Sequence, residues 1–216
     1  MSLTHTNTVR AGLGDYVCNA STGQLGANFN TKLYTGNVLA GTMSCTNGTN
    51  SLTGSGTSWS TNSTLAVNQW VVFANDTTKT PYQIAGVSSD TAATIKTNYT
   101  GTTVSGSALW TVPPTAGSSI SGGTGITTSP VAASTITSCN FGNSSNGVST
   151  LTSSTSDTSA TGGTVIFGRF LNGSTVCVQF VISPTGNGGD MTMNTTTISS
   201  GATVGFSGTN TYTASL

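Results

Sequence analysis

Carboxylates, imidazoles and thiols are the groups with which proteins shuttle protons, bind metals or attack carbonyls, and this chain of 216 residues has few of them. Its carboxylate side chains are Asp15, Asp76, Asp90, Asp157 and Asp190; it has no Glu, and His5 is its one imidazole. A glycosidase needs two carboxylates flanking the scissile bond, about 5 Å apart in retaining enzymes, and no pair here is set close by sequence. Asp90 and Asp157 each lie in a Ser-Asp-Thr triplet, which predicts turns whose carboxylates accept hydrogen bonds from nearby backbone amides. Asp190, after Gly188-Gly189, offers calcium a single carboxylate, too little for a hard-cation site. A Ser-His-Asp or Cys-His arrangement would have to use His5, and no G-x-S-x-G signature supports it. The glycine loop GSGTSW lacks the lysine and the following helix of a phosphate-binding loop. Cys18, Cys45, Cys139 and Cys177 have no C-x-x-C spacing, so free buried thiols are expected rather than zinc. These residues point away from catalysis, metals and cofactors.

The cations are equally sparse. Arg10, Lys32, Lys79, Lys96 and Arg169 are scattered singly and the net charge is zero. Nucleic-acid binding requires a basic track that releases counterions from phosphates, so nucleic acid is not an expected partner. A neutral surface repels its own copies weakly, which favours self-association or life inside an assembly. MSLTHTNTVRAGLGDYV shows no apolar signal core. The longest apolar run, around Val176 to Ile182, is far short of the roughly 20 residues of a membrane-spanning helix. Triplets such as Asn62-Ser63-Thr64 and Asn194-Thr195-Thr196 then read as accidents of a composition with 76 Ser and Thr rather than as glycosylation sites.

The elements that must position these residues are mainly strands. Thr-rich stretches with Val, Ile, Phe and Trp at alternate positions fit a pleated, half-buried surface, and the chain reads as all-β. A short N-terminal amphipathic helix is expected over residues 4–20, where Val9, Leu13 and Val17 recur every four residues. A strand follows over Phe29 to Thr35, ending at Gly36. Residues 39–112 read as a self-contained inserted domain, a small β-barrel or sandwich, within a β-sandwich base built from 1–38 and 113–216. Pro113-Pro114 closes the insert and a Ser/Gly/Thr-rich linker follows.

Two hairpins are predicted on Asn-Gly loops. Asn47-Gly48 would set Met43 opposite Leu52 and Cys45 opposite Asn50. Asn172-Gly173 would set Val165 opposite Phe180 and Phe167 opposite Val178, with Gly168 and Cys177 on the other face. Both faces of the second ribbon are apolar, so it belongs at the centre of a sandwich or with its second face against a subunit. Trp59, Trp70 and Trp110 all fall in the insert, where a small β domain needs large side chains to fill its centre. As a sugar-stacking platform they lack a neighbouring acidic and amide cluster to recognise hydroxyls.

THTNTVRAGLGDYV...NTKLYTGN, then NFGNSSNGVSTLTSSTSDTSATGGTVIFGRFLNGSTV and GGDMTMNTTTISSGATV, resembles a family of small tailed-bacteriophage virion proteins. Those proteins open with a short helix, continue with a strand ending in a Y-x-G-like turn and run through an N-G-V, D-T-S-A and G-G-D series. The intervening block is similar to small β modules of phage tail, baseplate and capsid-associated proteins. The resemblance implies a structural protein of the virion, made in the cytoplasm of an infected bacterium. It further implies a capsid decoration or cement protein, a homo-oligomer such as a trimer that binds the major capsid protein on the capsid exterior. A glycan-binding host-recognition module of the tail, and a tail or neck component, are the alternatives.

Overall fold

The structure, a computed structural model, describes residues 24–62, 64–112, 132–143, 145, 148–207 and 211–213. The expected N-terminal helix, His5, Asp15, Cys18, Pro113-Pro114 and the linker lie outside them. The described residues are all-β and their strands divide between two sheets.

The first strand, Phe29–Thr35 (β1), belongs to the first sheet. The second sheet takes the next eight: Asn37–Val38 (β2), Thr42–Cys45 (β3), Ser51–Ser55 (β4), Trp70–Phe73 (β5), Tyr82–Val87 (β6), Ala92–Ile95 (β7), Val104–Ser107 (β8) and Leu109–Thr111 (β9). The chain then returns to the first sheet with Ala132–Phe141 (β10), Val148–Thr155 (β11), Gly163–Asn172 (β12), Thr175–Pro184 (β13), Met191–Met193 (β14), Thr197–Ile198 (β15) and Thr211–Thr213 (β16). Its order is β14-β13-β12-β1-β10-β11-β16, with β15 on the start of β12.

The switch between sheets falls at Gly36, and close approach explains the glycine. A Cβ there would stand 2.2 Å from Ile166 Cδ1 and 3.0 Å from Trp110 Cβ. In the second sheet, β8 pairs with β3 while β9 pairs with β5, and only Ala108 separates them. The circuit of pairings β9-β5-β6-β7-β4-β3-β8 therefore returns to one continuous stretch of chain. Within it Met43, Leu52, Trp59, Phe73, Ile84, Ile95 and Tyr99 form a buried core.

The Asn47-Gly48 turn forms, with the Thr49 amide donating to the Thr46 carbonyl and only Gly48 of the pair at positive φ. The register past it differs from expectation: Met43 faces Gly54 and Ser44 faces Thr53. Residues 48–50 are taken by a third segment instead, through Gly48 N to Tyr99 O, Tyr99 N to Thr49 O and Ile95 N to Asn50 O. The loop is longer as a result, and Met43, Cys45 and Leu52 still share the core.

The second ribbon is also displaced. Asn172 pairs with Thr175, so the two-residue loop is Gly173-Ser174, with Gly173 at φ 59° as the first central residue of a type II′ turn requires. A register shift between Phe170 and Leu171 adds a residue on the β13 side. Phe167 consequently faces Val181, and Gly168 faces Phe180. A Cβ at Gly168 would come within 2.4 Å of the Phe180 ring, so the missing side chain is what lets that ring lie on the strand.

β12 is central, flanked by β13 and β1. One side carries Phe29, Phe141, Phe170 and Phe180, whose rings pack 4.7–5.8 Å apart. On the other, Tyr34, Ile166, Phe167 and Val181 pack on Val72, Val112, Trp70 and Trp110 of the second sheet. The second apolar face is thus buried inside the chain. A register shift where Tyr34 and Thr35 meet Phe167 and Val165 allows neighbouring residues of β12 to serve both clusters.

Candidate functional site

Among the described residues no three His, Cys, Asp or Glu side chains gather where they could hold a metal ion. Asp76, Asp90 and Asp157 are each hydrogen-bonded within the fold. Asp90 Oδ1 accepts the amides of Ser60 (2.9 Å) and Thr61 (2.6 Å), and Oδ2 accepts the Thr61 hydroxyl (2.6 Å). These donors lie about thirty residues upstream rather than in its own turn, and they tie down the loop that delivers Trp59 to the core. The Thr61 hydroxyl, then the Thr61 and Ser60 amides, hold the Asp90 carboxyl below the usual range.

Asp157 accepts the Thr135 amide (2.9 Å), the Ser159 amide (3.0 Å) and the Ser134 hydroxyl (2.8 Å), clasping β10 to the segment after β11. The two amides are the main reason its pKa is depressed. A depressed folded-state value stabilises the fold above the unfolded pKa and is lost as pH falls through the folded one. Asp157→Ala is therefore expected to cost about 1 kcal/mol at neutral pH, the scale of a lost carboxylate cap. Melting curves of both proteins should converge in acid as the wild-type carboxylate protonates; a gap independent of pH would refute the assignment.

Asp76 is buried and bonded by the amide and hydroxyl of Thr78. Cys45 and Cys139 are buried free thiols, with pKa values raised by burial, and Cys177 is half-buried and free. Arg169 is the unusual cation: it is 6% exposed, 5.0 Å from the centre of the Tyr34 ring and 5.2 Å from that of Phe167. Its Nε donates to Gln179 Oε1 at 3.0 Å, while one terminal nitrogen has no hydrogen-bond partner. Burial lowers its pKa, opposed by the charge and hydroxyl of Tyr34.

The tryptophans neither cluster on one surface nor all fill one core. Trp59 is buried at the centre of the second sheet's circuit. Trp70 and Trp110 are half-buried where the two sheets meet, with Lys79 Nζ 5.5 Å from the Trp110 ring centre.

Two concave features stand out among the described residues. A groove of about 440 Å³ lies between Leu33 and Ile136 of the first sheet and the chain from Met191 to Ser207 that crosses it. Its lining is mostly apolar or small, with Met191, Met193, Ile198, Val204 and Phe206. A second cleft, of about 350 Å³, opens between the sheets and is lined by Trp70, Val67, Asn68, Gln83, Gln179 and Asp190, with Val112, Phe180 and Val181 at its apolar side. It assembles beside one tryptophan the acid and amides that sequence proximity does not provide, because Gln179 and Asp190 come from the far end of the chain. Comparison with protein families, with curated proteins and with solved structures returned no match to this chain.

Proposed function

We propose that the chain is a non-enzymatic structural protein of a tailed-bacteriophage virion, a capsid decoration or cement protein that binds the major capsid protein lattice as a trimer. In this reading the first sheet and the segment crossing it form the two layers of a β-sandwich base, and the second sheet closes as a small inserted β-barrel that projects or links neighbours. The observation that carries the proposal is a half-covered apolar face. Leu151, Cys177, Val178, Met191, Met193, Val204 and Phe206 are only partly buried against the core of the first sheet.

The outer strands of this sheet, β14 and β16, carry no charged residue, and charge is one of the usual guards against added strands. A face and edges of this kind suit many modest contacts, multiplied by the valency of an oligomer. The capsid exterior is the station in this reading, reached after synthesis in the bacterial cytoplasm. Purified protein is expected to co-sediment with undecorated capsids of its phage, to raise their melting temperature and to leave decorated capsids unchanged. Binding should persist at moderate salt, since the contacts carry little charge. Absence of binding to undecorated capsids, or loss of binding at moderate salt, would overturn it.

A further inference from the structure

We infer that the cleft between the two sheets is a binding site for an uncharged sugar, a hexopyranoside presented by a glycan. A pyranose has an apolar C–H face and a ring of hydroxyls, so its site combines an aromatic or aliphatic wall with amide and carboxylate groups that pair with adjacent hydroxyls. This cleft holds both. Trp70 and Val67 supply apolar surface, and Val67 is one of two large hydrophobics that stand well exposed among the described residues, at 54%.

The polar groups divide into those that build the wall and those left for a ligand. Gln69 uses both ends of its amide on the backbone, accepting from Ala66 N and donating to Val112 O. Gln83 donates to the Asn68 carbonyl at 2.8 Å. That bond secures the turn in which Asn68 sits at φ 68°, a left-handed conformation that asparagine tolerates. The Asn68 side chain itself makes no hydrogen bond among the described residues. Asp190 Oδ2 accepts the Val181 amide at 2.8 Å, which fixes the carboxylate at the mouth of the cleft and leaves Oδ1 as an acceptor.

Among the described residues Asp190 is the only charged one in the lining. Its negative charge disfavours acidic sugars and phosphorylated ligands and favours neutral hydroxyls, to which a carboxylate is a strong acceptor. The volume lies near the lower end of the range of about 300–1,000 Å³ for small-molecule sites, suited to one or two rings of a longer chain. The inference does not rest on the capsid reading, since a decoration protein and a tail module could equally carry such a site.

The test is a titration of the full chain with methyl α-D-glucopyranoside, methyl α-D-mannopyranoside, methyl β-D-galactopyranoside, N-acetyl-D-glucosamine and, as the acidic control, N-acetylneuraminic acid. Tryptophan fluorescence and calorimetry report binding. At least one neutral sugar is expected to give a saturable change, with the acidic control weaker by tenfold or more. Asp190→Asn retains an oxygen for the Val181 amide, and Asn68→Gly retains the left-handed turn. Each should weaken binding by at least tenfold while leaving the melting temperature within a degree or two of wild type. No saturable response to any neutral sugar up to tens of millimolar, equal affinity for the acidic sugar, or unchanged affinity in both variants would each overturn the proposal.

Discussion

Trp59→Ala is expected to destabilise the second sheet's circuit by about 3–5 kcal/mol, the cost of removing the largest kind of buried aromatic side chain and leaving its cavity. Trp59 is 1% exposed and sits among Met43, Leu52, Phe73 and Ile95. The space around it cannot collapse easily, because Gly54 already brings backbone close to the indole: a Cβ there would lie 3.1 Å from Trp59 Cη2. The flanking loop is also held from outside, by Asp90 on Ser60 and Thr61 and by the Thr57 hydroxyl on the Asp90 carbonyl. Trp59→Phe should cost clearly less, since the indole N–H is buried without a partner and its removal forfeits no hydrogen bond. Urea denaturation of the two variants checks the order. Equal losses, or a loss below about 1 kcal/mol for alanine, would show that Trp59 does not fill the core as described.

The contrast between Trp59 and Trp70 shows what can be read from residues alone. That a small β domain would bury a tryptophan follows from composition, and Trp59 does so. Which tryptophan would stand at a junction does not follow, because Trp70 owes its position to β12 and β13, a hundred residues later. Strand locations were legible from alternation, and Gly36 and Asn47-Gly48 marked real breaks. Register was not. In the first hairpin the segment carrying Ile95 and Tyr99 competes for residues 48–50, and in the second Gly173 rather than Asn172 takes the leading place in the turn. Both outcomes depend on partners that local propensity does not contain. The aspartates illustrate the same limit. Their role as acceptors of backbone amides was legible from Ser-Asp-Thr, whereas the identity of the donors, thirty residues away for Asp90, was not. The cleft with Asp190 and Gln179 beside Trp70 is invisible in the sequence for the same reason, since these residues lie more than a hundred positions from the tryptophan.

Phe167→Ala should have the other large effect, and it tests whether the two sheets behave as one body. Phe167 is fully buried, stacks on Tyr34 with ring centres 5.0 Å apart and planes 11° from parallel, and belongs to the cluster that joins β12 to Val72 and Val112. It also forms one wall against the Arg169 guanidinium, a buried cation one of whose terminal nitrogens has no hydrogen-bond partner among the described residues. Truncating the ring removes packing worth about 3–5 kcal/mol, and it opens a route for water to the buried charge, which offsets part of that loss. Because the cavity falls at the contact between sheets rather than inside either core, the expected signature is a change in cooperativity. Wild type should melt in one transition, while the variant should separate into two, with the second sheet's unit, whose own core around Trp59 and Tyr99 is untouched, melting apart from the first. Calorimetry resolves the two cases. A single transition shifted as a whole would mean that Gly36, the bond from Asn187 Nδ2 to Thr78 O and the rest of the junction suffice to couple the sheets without the ring.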